Sequence, residues 1–201
     1  MTPLYLDELV TLGTWQSWAL FSKDAARPID FKYRYALGRC WDASLPVLAL
    51  VCLNPSTADH EEPDHTVRRC LHFARVHGCG SILIRNLFAW RSSSPKVLVP
   101  ATRRAPTRVT VQDPWGPRNE QVLSIQVPNA IHVAAWGRLQ QKSAPLRMRA
   151  SRSIRIVVSY PNLHVFGWTK TPPYDPLHPL YLPNVTRLQR AAVMGDAENP
   201  I

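Results

Sequence analysis

The sequence predicts an α/β fold, a three-layer sandwich around a central, mainly parallel sheet of about four strands. Short apolar runs that end at turn residues recur along the chain, and segments with helical spacing alternate with them. Parallel strands are buried on both faces because helices cover the sheet, and they therefore appear as continuous apolar runs rather than alternating ones. The length of 201 residues suits a single domain over 1–201.

The first half of the chain alternates strand and helix signals. The apolar run Val-Leu-Ala-Leu-Val-Cys-Leu stops at Asn54-Pro55, as a buried strand stops at a turn. Val67, Leu71 and Ala74 then share one helical face before Gly78. The predicted elements are a helix within 5–21, strands over 31–41 and 47–55, a helix over 65–78 and a strand over 81–90.

The second half repeats the pattern with weaker signals. Prolines mark many of the segment ends, since the sequence holds 19 prolines against 8 glycines. The predicted elements are a helix over 119–126, a strand over 130–137 that ends at a glycine, a strand over 163–169, a loop over 171–183 and a closing helix over 185–194.

Composition points to a folded, basic protein. Lys and Arg number 24 against 14 Asp and Glu, which gives a net charge of +10, while 45% hydrophobic and 19% charged residues exclude a disordered polycation. Such a charge attracts polyanions, so nucleic acid is the first partner class to consider. No stretch approaches the roughly 20 apolar residues of a membrane span. We expect a cytoplasmic monomer that binds DNA and no membrane.

The four cysteines, Cys40, Cys52, Cys70 and Cys79, do not form a metal-binding pattern. Their spacing includes no Cys-x-x-Cys and no cysteine–histidine pair at finger spacing. Cys52 and Cys70 fall within apolar segments, where a free thiol behaves as a small hydrophobic group. No metal and no cofactor is therefore predicted.

Polar residues gather where the strand over 47–55 ends. In α/β sheets ligands bind at the carboxyl ends of parallel strands, so this segment is a candidate site. The alternative is that Asn-Pro-Ser-Thr forms a turn and that Thr57 or Asp64 caps the next helix. The candidate residues are Asn54, Ser56, Asp59, Asp64 and His65.

Later strand ends supply further candidates. Asn86 can read a base edge because its amide offers both a donor and an acceptor, and His178 can donate to an anionic leaving group. The basic stretch 92–117 suits phosphate contact, although a solvated loop explains it equally well. Its candidate DNA-binding residues are Lys96, Arg103 and Arg104.

Several strings in order resemble the DUF1643 family of bacteria and phages. They are Tyr-Arg-Tyr-Ala-Leu-Gly-Arg-Cys-Trp, Leu-Asn-Pro-Ser-Thr-Ala-Asp, Asn-Leu-Phe-Ala-Trp-Arg, Ala-Ala-Trp-Gly and the segment around Leu-His-Pro-Leu-Tyr. The resemblance covers about 33–182. The family name carries no activity, so it leaves the function open.

More distantly, the chain resembles the uracil-DNA glycosylase superfamily. Leu-Asn-Pro-Ser, the strand ending at Asn86, Trp-Gly at 136–137 and His178-Pro179 occupy the places of the superfamily motifs in the same order. The resemblance implies a glycosylase-like fold and an enzyme that flips a base out of DNA and hydrolyses its N-glycosidic bond.

This resemblance also implies roles for individual residues. His178 would donate to the base oxygen, Asn54 would hold the attacking water, and Asp59 or Asp64 would act as a base or favour the sugar cation. Asn86 would read the flipped base, with Ser56, Asp64 and His65 also in the substrate pocket. Phosphates would be held by cationic side chains at Arg91, Arg138 and Lys170, together with the basic stretch.

The chain departs from the superfamily in its pocket. The usual stacking Phe has no clear counterpart, and His65 is the nearest aromatic side chain. Ser56 replaces a glycine, and Leu180-Tyr181 follows His-Pro in place of Ser-Pro. These departures argue against plain uracil and favour a wider or differently shaped pocket for a modified or damaged base. The alternatives are a non-catalytic nucleic-acid-binding module and a glycosidic hydrolase that acts on free nucleotides or nucleosides.

Overall fold

A mixed sheet of eight strands is the centre of the fold. The computed structural model describes residues 9–23, 31–56, 61–94, 98, 113–139, 144–172 and 174–191. The strands are β1 (Leu9–Thr14), β2 (Ser17–Ser22), β3 (Arg34–Cys40), β4 (Val47–Cys52), β5 (Ser81–Asn86), β6 (Ala130–Ala134), β7 (His164–Val165) and β8 (Gln189–Arg190). The helices of this part of the chain are α1 (His65–Val76), α2 (Asn119–Ser124), α3 (Ala144–Val158) and a 3₁₀ turn (Pro179–Tyr181).

The strand order is β1-β2-β3-β5-β4-β6-β7-β8. The four inner strands β5, β4, β6 and β7 run parallel, whereas β1, β2 and β3 on one side and β8 on the other pair antiparallel with their neighbours. The α/β class is confirmed. The predicted sheet of about four mainly parallel strands is wrong in extent, because antiparallel strands extend the parallel part on both sides.

Helices cover both faces of the parallel strands. Along β4, Leu48 and Leu50 belong to a buried cluster with Val67 and Phe73 of α1. Val51, the residue after Leu50, belongs to the opposite cluster, which holds Leu123 of α2 and Ala150 and Val157 of α3. Successive side chains of a strand point to opposite faces, so β4 is buried on both sides. This explains its uninterrupted apolar run.

The predicted helix within 5–21 is wrong, because β1 and β2 form an antiparallel hairpin there. Leu12 pairs with Ala19 across the hairpin, and Gly13 has φ 103°, a conformation that suits glycine. Ala19 and Phe21 alternate as buried positions along β2. The three-to-four spacing of the larger apolar residues conceals this alternation in the sequence.

Two further differences concern the second half. The described part of the predicted closing helix, 185–191, contains instead β8, which pairs antiparallel with β7. Helix α3 is absent from the prediction, since its many arginines obscure a buried stripe at Ala150, Ser153 and Val157. The elements predicted over 31–41, 47–55, 65–78, 81–90, 119–126, 130–137 and 163–169 are confirmed as β3, β4, α1, β5, α2, β6 and β7.

A buried arginine connects β5 to α2. Arg85 is 1% exposed, and its Nη1 donates to the carbonyl oxygens of Val122, Leu123 and Ile125 at the carboxyl end of α2. Its guanidinium also lies 5.2 Å from the ring centroid of Tyr160. Burial lowers the pKa of Arg85. The negative end of the α2 dipole is thus matched by a positive charge within the core.

None of the helices in the described ranges is long and apolar enough to cross a membrane.

A single glycine allows the hairpin to pack on β3. Gly38 pairs with Trp18, and a Cβ at residue 38 would lie 2.3 Å from Cε2 of the Trp18 ring. We expect Gly38→Ala to lower the free energy of unfolding by about 1–3 kcal/mol, because the methyl group overpacks this contact. Denaturant unfolding measures the change.

The same substitution in a Trp18→Leu background isolates the contact. In that background the added methyl group contacts a smaller side chain. We therefore expect Gly38→Ala to lower the free energy of unfolding by less than it does beside Trp18. An equal cost in both backgrounds would contradict the assignment to Trp18.

Candidate functional site

A cleft of about 660 Å³ opens at the carboxyl ends of the parallel strands. It lies where the chain leaves β4 and β6 and is closed by α1 and by the loop after β7. Its walls are formed by Leu53, Asn54, Ser56, Thr66, Ser92, Ser93, Trp136, Gly137, Arg138, Thr169, Leu177, His178, Leu180, Tyr181 and Leu182. The position agrees with the edge at which the sequence predicts ligand binding.

A second, smaller cavity of about 40 Å³ adjoins the cleft. We refer to it as the side chamber; its lining is Arg34, Cys52, Asn54, Ser56, Asp64, Thr66, Val67, Ile84, Asn86 and His178. Asn54, Ser56, Thr66 and His178 line both cavities. A ligand in the cleft therefore lies beside a polar chamber that can hold a small group.

Asn54 joins the ends of two strands. Its Nδ2 donates to the carbonyl oxygens of Pro55 and Ser92, at 3.0 Å each. Ser92 in turn donates its backbone N–H to Pro55. Because Nδ2 is committed to the backbone, the amide oxygen Oδ1 is the group of Asn54 that can accept a hydrogen bond from water or ligand.

Asp64 is both a helix cap and a wall of the side chamber. Its Oδ1 accepts the backbone N–H of Val67 at 2.7 Å, which caps α1 and confirms the capping alternative for this residue. The cap uses one carboxylate oxygen, so Oδ2 can accept a hydrogen bond from a group in the chamber. Asp64 can therefore cap α1 and contact a ligand at the same time.

His178 is held in one orientation by its own loop. Its Nδ1 accepts the backbone N–H of Leu180 at 3.2 Å, at the start of the 3₁₀ turn. A neutral imidazole that accepts at Nδ1 carries its proton on Nε2. His178 is therefore a hydrogen-bond donor through Nε2 at the wall of the cleft.

Asp175 fixes the loop that carries His178. This buried carboxylate accepts the backbone N–H of Leu139 at 2.8 Å and pairs with Arg147 of α3 at 2.6 Å. Gly137 donates its backbone N–H to Pro176. The loop after β7 is thus joined to the segment after β6, and His178 takes its position relative to that strand.

Arg69 of α1 holds the other side of the same loop. Its guanidinium donates to the carbonyl oxygens of Pro179 and Leu182 and to Oδ1 of Asn184, and it lies over the ring of Phe73. An arginine that spans several acceptors is a rigid connection. His178 is consequently held from α1 as well as from β6.

Buried polar groups form the floor of the side chamber. Asn86 is 1% exposed, and its Nδ2 has no hydrogen-bond partner within the described residues. Arg34 is 2% exposed, and burial, followed by repulsion from Arg91, lowers its pKa to about 10, while Asp64 attracts it. Both residues bring buried hydrogen-bond donors to the side chamber.

Two thiols lie behind His178. The neighbouring side chains of Cys70 and His178 lower the pKa of Cys52 against the opposing effect of burial. The partnership with Cys52, together with burial, raises the pKa of Cys70. All four cysteines of the chain are free thiols. Cys52 and His178 thus line the same side chamber.

The structure brings six of the predicted site residues to these two cavities. They are Asn54, Ser56, Asp64, Asn86, Arg138 and His178. His65 begins α1 as an exposed residue outside both linings, and Lys170 is exposed beside Thr169. Asp59, Lys96, Arg103 and Arg104 lie outside the described residues.

Arg91 is placed away from the cleft. Its Nη1 donates to the carbonyl oxygen of Phe31, and its guanidinium lies 5.0 Å from the ring centroid of Phe21 in β2. These contacts attach the segment after β5 to the hairpin side of the sheet. Arg91 lines neither of the two cavities, and its contact with phosphate stays a prediction.

Sequence reasoning missed several residues of the two cavities, among them Arg34, Trp136 and Tyr181. Arg34 stands between two tyrosines in an aromatic stretch, and a charge at that position is the signal that could have singled it out. Trp136 is 3% exposed and lines the cleft, with its indole Nε1 unpartnered within the described residues. Tyr181 is 87% exposed at the cleft wall.

Comparison with known proteins places the chain in a family. It belongs to the DUF1643 family, described as a protein of unknown function, whose family model matches residues 34–180. The match confirms the family resemblance found in the sequence motifs. No curated protein and no solved structure matches the chain.

Gly137 allows the close approach of the His178 loop. Its φ is +71°, and a Cβ at residue 137 would lie 3.1 Å from Cβ of His178. We expect Gly137→Ala to destabilise the protein by about 1–2 kcal/mol through backbone strain and also to displace His178. Denaturant unfolding measures the first effect, and NMR of the imidazole nitrogens measures the second.

Gly78→Ala is the matched control. Gly78 has φ +68° but no atom within 4 Å of an added Cβ, so it bears the strain without the steric contact. We expect similar destabilisation with unchanged His178 resonances. Unchanged resonances in both variants would contradict the role given to Gly137.

Proposed function

We propose that this protein is a DNA glycosylase-like enzyme that flips a uracil-type, modified or damaged base out of DNA and hydrolyses its N-glycosidic bond. It would act as a single-domain monomer in the cytoplasm, with its cleft and parallel strands corresponding to a uracil-DNA glycosylase-like fold. The observation that carries the proposal is His178, a fixed Nε2–H donor in the wall of a cleft at the ends of β4, β5 and β6.

Cleavage of an N-glycosidic bond leaves negative charge on the departing base. A donor preorganised toward an oxygen of that base stabilises the charge as it develops. His178 suits this task because the Leu180 amide N–H occupies Nδ1 and keeps the proton on Nε2. His178 lines both the cleft and the side chamber, so Nε2–H can donate to a base oxygen bound there.

The sugar side of the bond requires a water molecule and negative charge. Asn54 offers its amide oxygen to a water, since its Nδ2 is already bonded to two carbonyl groups. Asp64 can stabilise the sugar cation through its second carboxylate oxygen. Asp59 is the alternative carboxylate in this role, and Asn86 reads the base through its buried amide.

Charge and an exposed aromatic ring support a nucleic-acid substrate. The net charge is +10, and the cleft wall includes the exposed Arg138 beside Gly137. Tyr181 also stands at this wall with 87% of its surface exposed. An exposed ring can stack on a nucleobase, and stacking contributes about 1–3 kcal/mol per base. Lys170 would add a phosphate contact.

The direct test is base release from labelled single- and double-stranded oligonucleotides. The panel carries uracil, 5-hydroxymethyluracil, hypoxanthine, mismatched thymine and modified cytosines. We expect His178→Ala to lower the single-turnover rate about 10²–10³-fold, as removal of an oxyanion donor does. Asn54→Ala should lower it as well, while both variants keep the DNA affinity of the unmodified protein.

The same panel discriminates the alternatives. Salt-sensitive DNA binding without base release from any oligonucleotide would favour a non-catalytic binding module. Base release from free nucleosides or nucleotides without DNA binding would favour a glycosidic hydrolase on small substrates. Binding that contacts several phosphates weakens steeply with salt, whereas binding of a small substrate does not.

Tyr181 provides a separate test of the DNA interface. We expect Tyr181→Ala to weaken binding to an oligonucleotide about tenfold or more, because a stacking contact is lost. Fluorescence anisotropy at fixed salt measures this change.

Trp15→Ala is the matched control for Tyr181→Ala. Trp15 is another exposed aromatic residue, at 67%, but it lies in the β1–β2 turn. The backbone N–H of Cys40 donates to the carbonyl oxygen of the adjoining Gln16, and Cys40 pairs with Ser81, the first residue of β5. Trp15 therefore lies near the amino end of β5, whereas the cleft lies at the carboxyl ends of the parallel strands. Equal losses of affinity from the two substitutions would contradict a DNA interface at the cleft.

A further inference from the structure

A third cavity, of about 320 Å³, opens at the opposite edge of the sheet from the cleft. It lies where the chain enters β4 and β6, beside the turns that follow α2 and α3. We refer to it as the amino-end cavity, and it is defined by lining residues that include Pro46, Val127, Ala130, His132, Pro161 and Asn162. None of its lining residues lines the cleft or the side chamber, so a ligand bound here would be separate from the cleft.

Hydrogen bonds hold two turns of this cavity in place. Val47, the first residue of β4, donates its backbone N–H to the carbonyl oxygen of the lining residue Asn129 at 3.0 Å. Arg190 of β8 donates to Oδ1 of Asn162 at 2.6 Å. The walls are therefore formed without a ligand. The volume lies at the lower end of the roughly 300–1,000 Å³ of small-molecule sites.

His132 is the buried polar side chain of the lining. It is 3% exposed, and its Nδ1 has no hydrogen-bond partner within the described residues. Burial, followed by the nearby charges of Arg85 and His164, lowers the pKa of His132. The imidazole is therefore neutral at neutral pH, with one nitrogen that donates and one that accepts. Buried polar groups are normally paired, and a ligand in the cavity can supply the missing partner.

The surroundings of His132 are positively charged. Its ring centroid lies 4.8 Å from that of Tyr160, and the guanidinium of Arg85 lies 5.2 Å from the same Tyr160 centroid. Nε and Nη2 of Arg85 have no hydrogen-bond partner in the described part of the chain, and no carboxylate there pairs with this arginine. The lining contains no acidic residue, and Arg190 adds a cation beside Asn162. The cavity therefore attracts an anion.

The lining limits the kind of anion. Pro46 and Pro161 are apolar, so the ligand needs an apolar part beside its charged group. Oδ1 of Asn162 accepts from Arg190, so Nδ2 of Asn162 is a second donor besides the N–H of His132. Two donors match the two oxygens of a carboxylate. A phosphate group, with three terminal oxygens and up to two charges, requires more donors.

We propose that the amino-end cavity binds a small organic carboxylate, with its oxygens toward His132 and Asn162 and its apolar part against the two prolines. This second ligand site lies at the opposite edge of the sheet and does not depend on the chemistry in the cleft. A carboxylate oxygen forms charge-assisted hydrogen bonds, which are stronger than those of a neutral acceptor. A charged ligand therefore binds more tightly than a neutral amide of the same shape.

The test compares benzoate with benzamide, its neutral counterpart of the same shape, in binding to the full chain. We expect calorimetry to show that benzoate binds at least about tenfold more tightly. In NMR of the imidazole nitrogens, benzoate should shift the resonances of His132 and not those of His178. Equal affinities, no binding of benzoate, or shifts confined to His178 would overturn the proposal. Tighter binding of inorganic phosphate than of benzoate at His132 would overturn the choice of a carboxylate.

Two substitutions assign the binding to the cavity. Ala130 lies on the same face of β6 as His132, so Ala130→Leu fills the cavity and should weaken benzoate binding about tenfold or more. His132→Phe keeps a ring but removes the donor, and the preference for benzoate over benzamide should fall below about threefold. His72→Phe is the matched control, since this histidine of α1 contacts the carbonyl oxygen of Asn184 and lines none of the three cavities. Unchanged binding in both cavity variants would overturn the proposal.

His178→Ala separates this site from the cleft. We expect this variant to keep the benzoate affinity of the unmodified protein, because His178 does not line the amino-end cavity. Loss of benzoate binding in His178→Ala would overturn the assignment to this cavity. Benzoate binding at His132 without base release from any oligonucleotide would support the amino-end cavity and overturn the proposed function alone.

Discussion

The parallel pairing of β4 with both β5 and β6 is the constraint on which the site depends. Val51 pairs with Arg85 on one side and with Ala134 on the other, so the carboxyl ends of the three strands meet at one edge. Residues far apart in the chain, such as Asn54 and Ser92, then lie within hydrogen-bond distance. Each strand is buried on both faces, and a change of register would expose apolar side chains.

The loop after β7 completes this site from the outside. Apolar residues such as Phe166 and Leu182 pack against the core cluster that includes α1, and polar contacts hold the loop further. Asp175 joins it to α3 and to the segment after β6, and Arg69 joins it to α1. Asp175 is buried whereas Arg147 is half-exposed, and removal of Arg147 would leave the buried carboxylate without its charged partner. The position of His178 is thus determined by charges outside the cleft.

Buried cations are a recurring feature of this basic protein. Arg85 bonds to the carboxyl end of α2, and Arg34 lies at the side chamber near Asp64. Burial lowers the pKa of both, yet a guanidinium remains charged at neutral pH. The excess of 24 Lys and Arg over 14 Asp and Glu is therefore not only a surface property that attracts polyanions. Part of this excess is buried: Arg85 bonds to the carboxyl end of α2, and Arg34 places a positive charge at the side chamber.

The sequence by itself determined the inner strands, α1 and the edge at which the site forms. The continuous apolar runs of β4 and β5 and the turn residues Asn54-Pro55 are local signals that survive without tertiary context. Tertiary structure alone decided the hairpin at 9–22, helix α3 and β8. The apolar patterns of these segments are short or interrupted by charged residues, so they are compatible with either a helix or a strand. It also decided that Arg34 from β3 faces the same chamber as Asn86. That juxtaposition follows from antiparallel pairing of β3 with β5, a long-range contact that no local pattern encodes.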